Sequence, residues 1–253
     1  MASTIVTFLG QATSLVLVLS GVLLLGTPLA STHDLVWAAI GGGAGGLALI
    51  GFYHALSRGA MAVVAPTTAI VSAVFPVIVG LGQGERPSVA ALAGIAIACL
   101  AVGLVSGAIG TRHQHTEATT VLLAALAGIG FGFIFIAFAR TADDSGMWPL
   151  VAARLASLPA IGSVVAITRP GRSGLNAVWW IVIASGVLDM AANLFYLEAS
   201  HRGLLSIVAV ISSMYPVSTV CLAFGLDHER VSRTQAAGLA CAATALALVS
   251  LGS

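Results

Sequence analysis

The sequence predicts an all-α membrane protein, a polytopic helical bundle of about nine transmembrane helices, and three observations carry that expectation. Of 253 residues, 58% are hydrophobic and only 8% charged, with a mean hydropathy of +1.06. An ordinary soluble domain carries about a quarter charged residues, so a soluble globular protein is excluded. The apolar residues also fall in runs of about 20, the length that crosses ~30 Å of hydrocarbon at ~1.5 Å per residue. Finally, nearly all charges sit in the short gaps between runs, which leaves no room for a water-facing catalytic module.

Taken in order, the spans are 5–26, 34–57, 61–83, 88–109, 119–140, 147–168, 177–199, 204–225 and 233–251. Trp37, Trp148, Trp179 and Trp180 stand near span starts, where an amphipathic ring prefers the headgroup level. ThrProLeuAlaSer follows the first run as it would a secretory signal, but the first ten residues hold no Lys or Arg for an n-region. The first run is therefore read as a span. The ten basic residues are all Arg and dispersed, and the net charge is +1, so no basic patch exists to bind nucleic acid. Cys99, Cys221 and Cys241 lie in apolar stretches without CxxC spacing and read as small core hydrophobes. His113 and His115, beside Arg112 and Glu117, read as a solvated loop because two His at i, i+2 lack further ligands. No metal and no cofactor are expected.

An internal repeat organises the spans. An offset of 144 residues places Arg58–Gly59 on Arg202–Gly203 and GluArgProSer at 85–88 on GluArgValSer at 229–232, without a gap. It also pairs Gly94 with Gly238 and LeuValSer at 104–106 with LeuValSer at 248–250. Spans one to four map onto spans six to nine, an odd shift that turns the second copy upside down in the bilayer. Inverted repeats of this kind are a signature of secondary transporters. The chain divides accordingly into a first repeat of four helices, 1–110, and a second of five, 111–253. Span five has no partner, so the pattern reads as a ten-helix architecture without its first helix; a true nine-helix variant is the other reading.

The pattern PheTyrHisAlaLeu at 52–56, ArgGly at 58–59, ProVal at 76–77, GlyGluArg at 84–86 and Gly94 recurs as PheTyr at 195–196, ArgGly, TyrProVal at 215–217, GluArg and Gly238. It resembles the EamA-like family of the drug/metabolite transporter superfamily over nearly the whole chain. The resemblance implies two inverted five-helix repeats, a central cavity, and export or exchange of small metabolites. It also implies a ten-helix chain with both ends in the cytoplasm. The Arg residues instead favour a cytoplasmic Met1: Arg58, Arg112, Arg169, Arg172, Arg230 and Arg233 lie on its side, against Arg86, Arg140 and Arg202.

A charge in the middle of a membrane helix costs a few kcal/mol on insertion scales and usually faces the bundle interior (about 3 kcal/mol). Arg154 and Asp189 are the two such residues, in the same half of the membrane on neighbouring antiparallel spans, where they can pair. Such a pair either fixes helix register or recognises substrate charge. Asp189, Asn193, Tyr196 and Ser200 follow at i, i+4, i+7 and i+11 along one helix face, whereas the repeat-equivalent Gly45, Leu49, Phe52 and Leu56 are apolar. Gln11 is the remaining deep polar side chain. Tyr53 and His54, with Glu198 at the position equivalent to His54, stand where they line a mouth or pack at the interface.

Pro66, Pro76, Pro159 and Pro216 each free a carbonyl four residues earlier, and Pro76 and Pro216 are the candidate hinges. The runs Gly41–Gly43 with Gly45 and Gly46, and Gly128, Gly130 and Gly132, allow close helix contact. The candidate substrate-binding set is thus Asp189, Arg154, Asn193, Tyr196, Gln11 and Tyr53. The function expected is secondary transport of a small organic metabolite or drug-like compound across the cell membrane by alternating access. Its partners are that small molecule and the lipid bilayer, with a homodimer open. The alternative is a non-transporting interaction or scaffold subunit. An intramembrane enzyme needs paired acids or a Ser/His/Asp set, and a single deep Asp supplies neither.

Overall fold

The computed structural model describes residues 2–106, 117–169, 175–226 and 232–252, and among these there is no strand. The helices are α1 (Ala2–Leu25), α2 (Thr32–Arg58), α3 (Met61–Gly82), α4 (Val89–Val105), α5 (Ala118–Phe138), α6 (Trp148–Thr168), α7 (Leu175–Arg202), α8 (Leu205–Ser213), α9 (Tyr215–Leu226) and α10 (Arg233–Gly252). A single 3-10 turn, Asp143–Ser145, precedes α6. Hydrocarbon offers no partner for a bare N–H or C=O, so apolar runs of this length close their hydrogen bonds as helices. Seven of the described helices, α1, α2, α3, α5, α6, α7 and α10, are long and apolar enough to cross a membrane. The loop carrying Arg112, His113 and His115, together with Arg172 and the Glu229–Arg230 pair, lies outside the described residues.

One expected element differs. The eighth span, 204–225, is not continuous but breaks at Met214 into α8 and α9. Pro216 has no N–H to give the Ser212 carbonyl, and the Ser213 hydroxyl donates back to the Ala209 carbonyl at 2.7 Å, a bond that bends helices. The chain crosses the gap by tight i→i+3 bonds, Met214 N–H to Ile211 (3.2 Å) and Val217 N–H to Met214 (2.9 Å).

Helix ends obey the 144-residue offset. α4 begins after Ser88, whose hydroxyl accepts from Ala91 N–H at 3.1 Å, and α10 begins after Ser232. Ser232 and Gln235 form a capping box: the serine hydroxyl accepts from Gln235 N–H (3.2 Å) while the glutamine oxygen accepts from Ser232 N–H (2.9 Å). The residues preceding α3 and α8, Ala60 and Leu204, share one extended conformation (φ −66° in both). α8 has no side-chain cap of its own. The Glu85 carboxylate supplies it, accepting from Leu205 N–H at 2.6 Å and Ser206 N–H at 3.0 Å. Gly84, at φ +99°, turns the chain so that Glu85 reaches there, a conformation that favours glycine. Arg86 donates to the Glu85 carbonyl at 3.0 Å. The GlyGluArg motif is a folding device.

The helices gather into two compact units, Met1–Leu47 with Ile136–Arg202 and Ala48–Phe135 with Gly203–Ser253. Each takes residues from both 1–110 and 111–253. In the second unit α4 and α10 pack against each other. A Cβ on Gly94 would meet Val249 Cγ2 at 2.8 Å, and one on Gly238 would meet Val105 Cγ2 at 2.6 Å. Gly94 and Gly238, like Val105 and Val249, are 144 apart, and the start of each helix meets the end of the other, so the pair runs antiparallel about a local two-fold. Ala98, Ala101, Ala242 and Ala245 fill the seam between, all buried. Lipid tails are as apolar as the side chains, so such contacts form by close packing of small residues, not by expulsion of water. On α5, Gly128 sits against the Thr68 carbonyl and Gly132 against Pro76 Cδ and the Ser72 carbonyl. The Thr68 hydroxyl donates to the Ala124 carbonyl at 3.0 Å, which ties α3 to α5.

Overpacking a tight core costs about 1–3 kcal/mol, so Gly238→Val lowers the melting temperature of the detergent-purified protein. Gly43→Ala serves as the control, because a Cβ there meets nothing within 4 Å. Its melting temperature stays level or rises, since Ala is favoured over Gly in a helix by up to about 1 kcal/mol.

Candidate functional site

The first unit holds the polar cluster. It is built on α1, α6 and α7 with the first part of α2, and glycines set how closely those helices approach. On α7, a Cβ at Gly186 would meet the Gly10 carbonyl and Thr13 Cβ of α1, each at 2.7 Å. On α2, a Cβ at Gly42 would fall on the Ala153 backbone of α6, and one at Gly46 would lie 3.2 Å from Ser157 Cα. Gly42 and Gly186 are again 144 apart, as are Thr13 and Ser157. The offset therefore places Gly10 opposite Arg154 and Gly45 opposite Asp189. One copy carries glycine where the other carries an ion pair.

Arg154 on α6 donates from one guanidinium nitrogen to the Asp189 carboxylate on α7. From the other it donates to Gln11 Oε1 on α1 at 2.7 Å. Ser157, one turn further along α6 and buried, donates to the same Gln11 oxygen at 3.2 Å. Asn193, one turn beyond Asp189, turns its amide nitrogen toward the Asp189 carbonyl (2.7 Å) and Oδ1 (3.3 Å). The two charges are unequally covered: the Arg154 side chain is 13% exposed and that of Asp189 37%. Four of the six residues named from sequence, Arg154, Asp189, Asn193 and Gln11, thus come together.

The remaining two sit elsewhere. Tyr196 is buried with its ring 6.3 Å from that of Phe138, and Ser200 is buried with its hydroxyl bonded to the Leu197 carbonyl. The stripe along α7 is therefore open at Asp189 and Asn193 and packed at Tyr196 and Ser200. Tyr53 belongs to the second unit, half-exposed beside Phe52. Glu198 pairs with Arg202 one turn on, both exposed.

Two residues were not singled out from sequence. Ser157 shares the glutamine oxygen with Arg154, and no spacing pattern marks it. Asp34, only 3% exposed, accepts from the Ser31 hydroxyl (2.7 Å) and from Ala142 N–H (3.0 Å), pinning the start of α2 to the turn before α6. Its signal was the Ser31-x-x-Asp34 capping spacing. Beside it Trp37 donates to His33 Nε2 at 3.0 Å and carries Arg140 over its ring at 5.6 Å. Among the described residues no group of three or more His, Cys, Asp or Glu is placed to hold a metal ion.

The profile of the EamA-like transporter family matches residues 118–251, a segment that runs from the start of α5 almost to the end of α10. The chain belongs to the EamA-like transporter family. A solved crystal structure is similar in fold, with a TM-score of 0.81 at 21% identity, over 99% of this chain and 89% of the other. No curated protein matches the sequence. With its long apolar helices, this EamA-like chain is a multi-pass membrane protein.

Removing one member of a membrane-embedded ion pair leaves an uncompensated charge. Arg154→Ala is expected to lower thermal stability more than the Arg154→Ala, Asp189→Asn double variant does. Melting of the four proteins as a double-mutant cycle should give a coupling of about 0.5–3 kcal/mol. Additive effects would show that the two side chains do not act as a pair.

Proposed function

We propose that this protein is a secondary transporter that carries a small organic metabolite or drug-like compound across the cell membrane by alternating access, with its substrate engaged at Asp189, Arg154, Asn193 and Gln11. The observation that carries the reading is the half-exposed Asp189, held by Arg154 inside membrane-spanning helices. A charge at the helix centre costs about 3 kcal/mol on insertion scales and is typically retained where it serves a pathway. Gln11, Ser157 and Asn193 hold both charges in place, as a binding site requires of its supporting groups.

The recurrent 144-residue offset supports alternating access. Contacts such as Gly94 with Val249 and Gly238 with Val105 are interchangeable by a local two-fold, and two copies of opposite sense can exchange conformations about one site. Pro76 and Pro216 are the hinges of this reading. Pro76 packs on Gly132 of α5, and Pro216 lies just past the break between α8 and α9. Membership of a transporter family agrees with this reading.

Reconstitution tests it. A compound that raises the melting temperature of the purified protein, found from a panel of small metabolites, should be carried into proteoliposomes in a saturable manner. Asp189→Asn should cut its initial rate by about tenfold or more, a loss of about 1.4 kcal/mol or more. Unchanged flux in that variant, or no saturable flux of any stabilising compound, would contradict the proposal.

A further inference from the structure

We infer that the cluster on α6 and α7 selects compounds bearing a protonated amine, docked on Asp189 and Asn193, with Arg154 serving as an internal counter-charge. The inference rests on the transport reading and adds the charge of the substrate. The hydrogen-bonding groups that the cluster leaves unspent carry it. Arginine can only donate, so the Gln11 group facing Arg154 must be its oxygen. The groups of Asp189 facing Asn193 only accept, so Asn193 must turn its nitrogen to them and its own oxygen away.

The open face is therefore rich in acceptors. Asp189 Oδ2 is taken by Arg154, while Oδ1 holds only the 3.3 Å contact from Asn193. One helical turn along, Asn193 Oδ1 accepts from no described group, and both residues are part-exposed. Of the donors, the neutral Gln11 amide nitrogen is also unspent, whereas the charged Arg154 guanidinium is engaged by Asp189 and Gln11. Arg154 is the more covered of the two charges, at 13% against 37%, and also donates to Gln11. A ligand at this part-exposed cluster finds acceptor capacity left on the carboxylate and the amide oxygen, and a guanidinium already spent on Asp189 and Gln11. An ammonium has donors for both oxygens and a charge that the carboxylate attracts. An anion would first have to displace Asp189 from Arg154 and leave that carboxylate without its partner.

The two assignments differ in the sign of one mutation. Arg154 competes with a bound cation for the same carboxylate, so Arg154→Gln should strengthen binding of an amine. If Arg154 instead held a substrate anion, the same change would abolish binding. The probes are two size-matched sets, benzylamine, benzyl alcohol and benzoate, and n-butylamine, n-butanol and butyrate. They are titrated onto the full chain in lipid nanodiscs by calorimetry.

The expected result is an amine preference of about tenfold or more in at least one set. Arg154→Gln should tighten it about threefold or more, and Asn193→Leu, which keeps both charged side chains, should weaken it by a similar factor. Should Arg154→Gln not fold, the Asn193 variant still decides. Preference for the acid, no preference in either set, or an amine affinity indifferent to Asn193→Leu overturns the inference. Saturable, Asp189-dependent flux of an anion in proteoliposomes would reject the amine while leaving transport intact. Amine binding without flux of any bound compound would reject transport.

Discussion

An ionised side chain in hydrocarbon must find its partner within the protein, and the contact of Arg154 with Asp189 is where this chain meets that demand most severely. Much of the first unit is arranged around it. α1 must come close enough to α6 for Gln11 to receive the second guanidinium nitrogen, which places Gly10 and Gly186 where α1 and α7 meet. α2 must lie against α6 without displacing Ser157, which places Gly42 and Gly46 at that crossing. Any side chain on Gly42 would strike the Ala153 backbone, next in sequence to Arg154. The glycines and the ion pair are parts of one construction.

The repeat supplies the frame but not the chemistry. Offset by 144 residues, the same residue types recur at helix ends and at crossings: Ser88 and Ser232 as caps, Gly94 and Gly238 under Val249 and Val105, Gly42 and Gly186 at helix contacts. These positions all serve close approach or backbone satisfaction, which both copies need equally. Arg154 and Asp189 stand opposite Gly10 and Gly45, so charge was placed in one copy only.

Much of the fold was legible in the sequence because hydrocarbon thickness enforces run length and water enforces charged gaps. The expected spans lie within a few residues of the helices, except where α8 and α9 separate. A proline inside an apolar run either kinks a helix or ends it, and the outcome here depended on Ser213 bonding back to Ala209 as well as on Pro216. The candidate site was legible where charge made it so. Arg154 and Asp189 stand out against an apolar background, and helical spacing led to Asn193. Ser157 did not stand out, because a serine in a membrane helix more often bonds its own backbone. Tyr196 and Ser200 share a face with Asp189 by spacing, yet the face is covered along part of its length, by Phe138 at Tyr196. Periodicity gives direction around a helix and says nothing of what stands opposite.

The polar cluster depends on the Arg154 guanidinium touching the Asp189 carboxylate in the bilayer. Solid-state NMR of the protein in lipid, with arginine nitrogens and aspartate carboxyl carbons labelled, measures that contact directly. Dipolar recoupling should show an Arg Nη to Asp Cγ separation within about 4 Å, lost in Arg154→Gln and in Asp189→Asn. A spectrum without that coupling, or one in which it survives either substitution, would contradict the central claim.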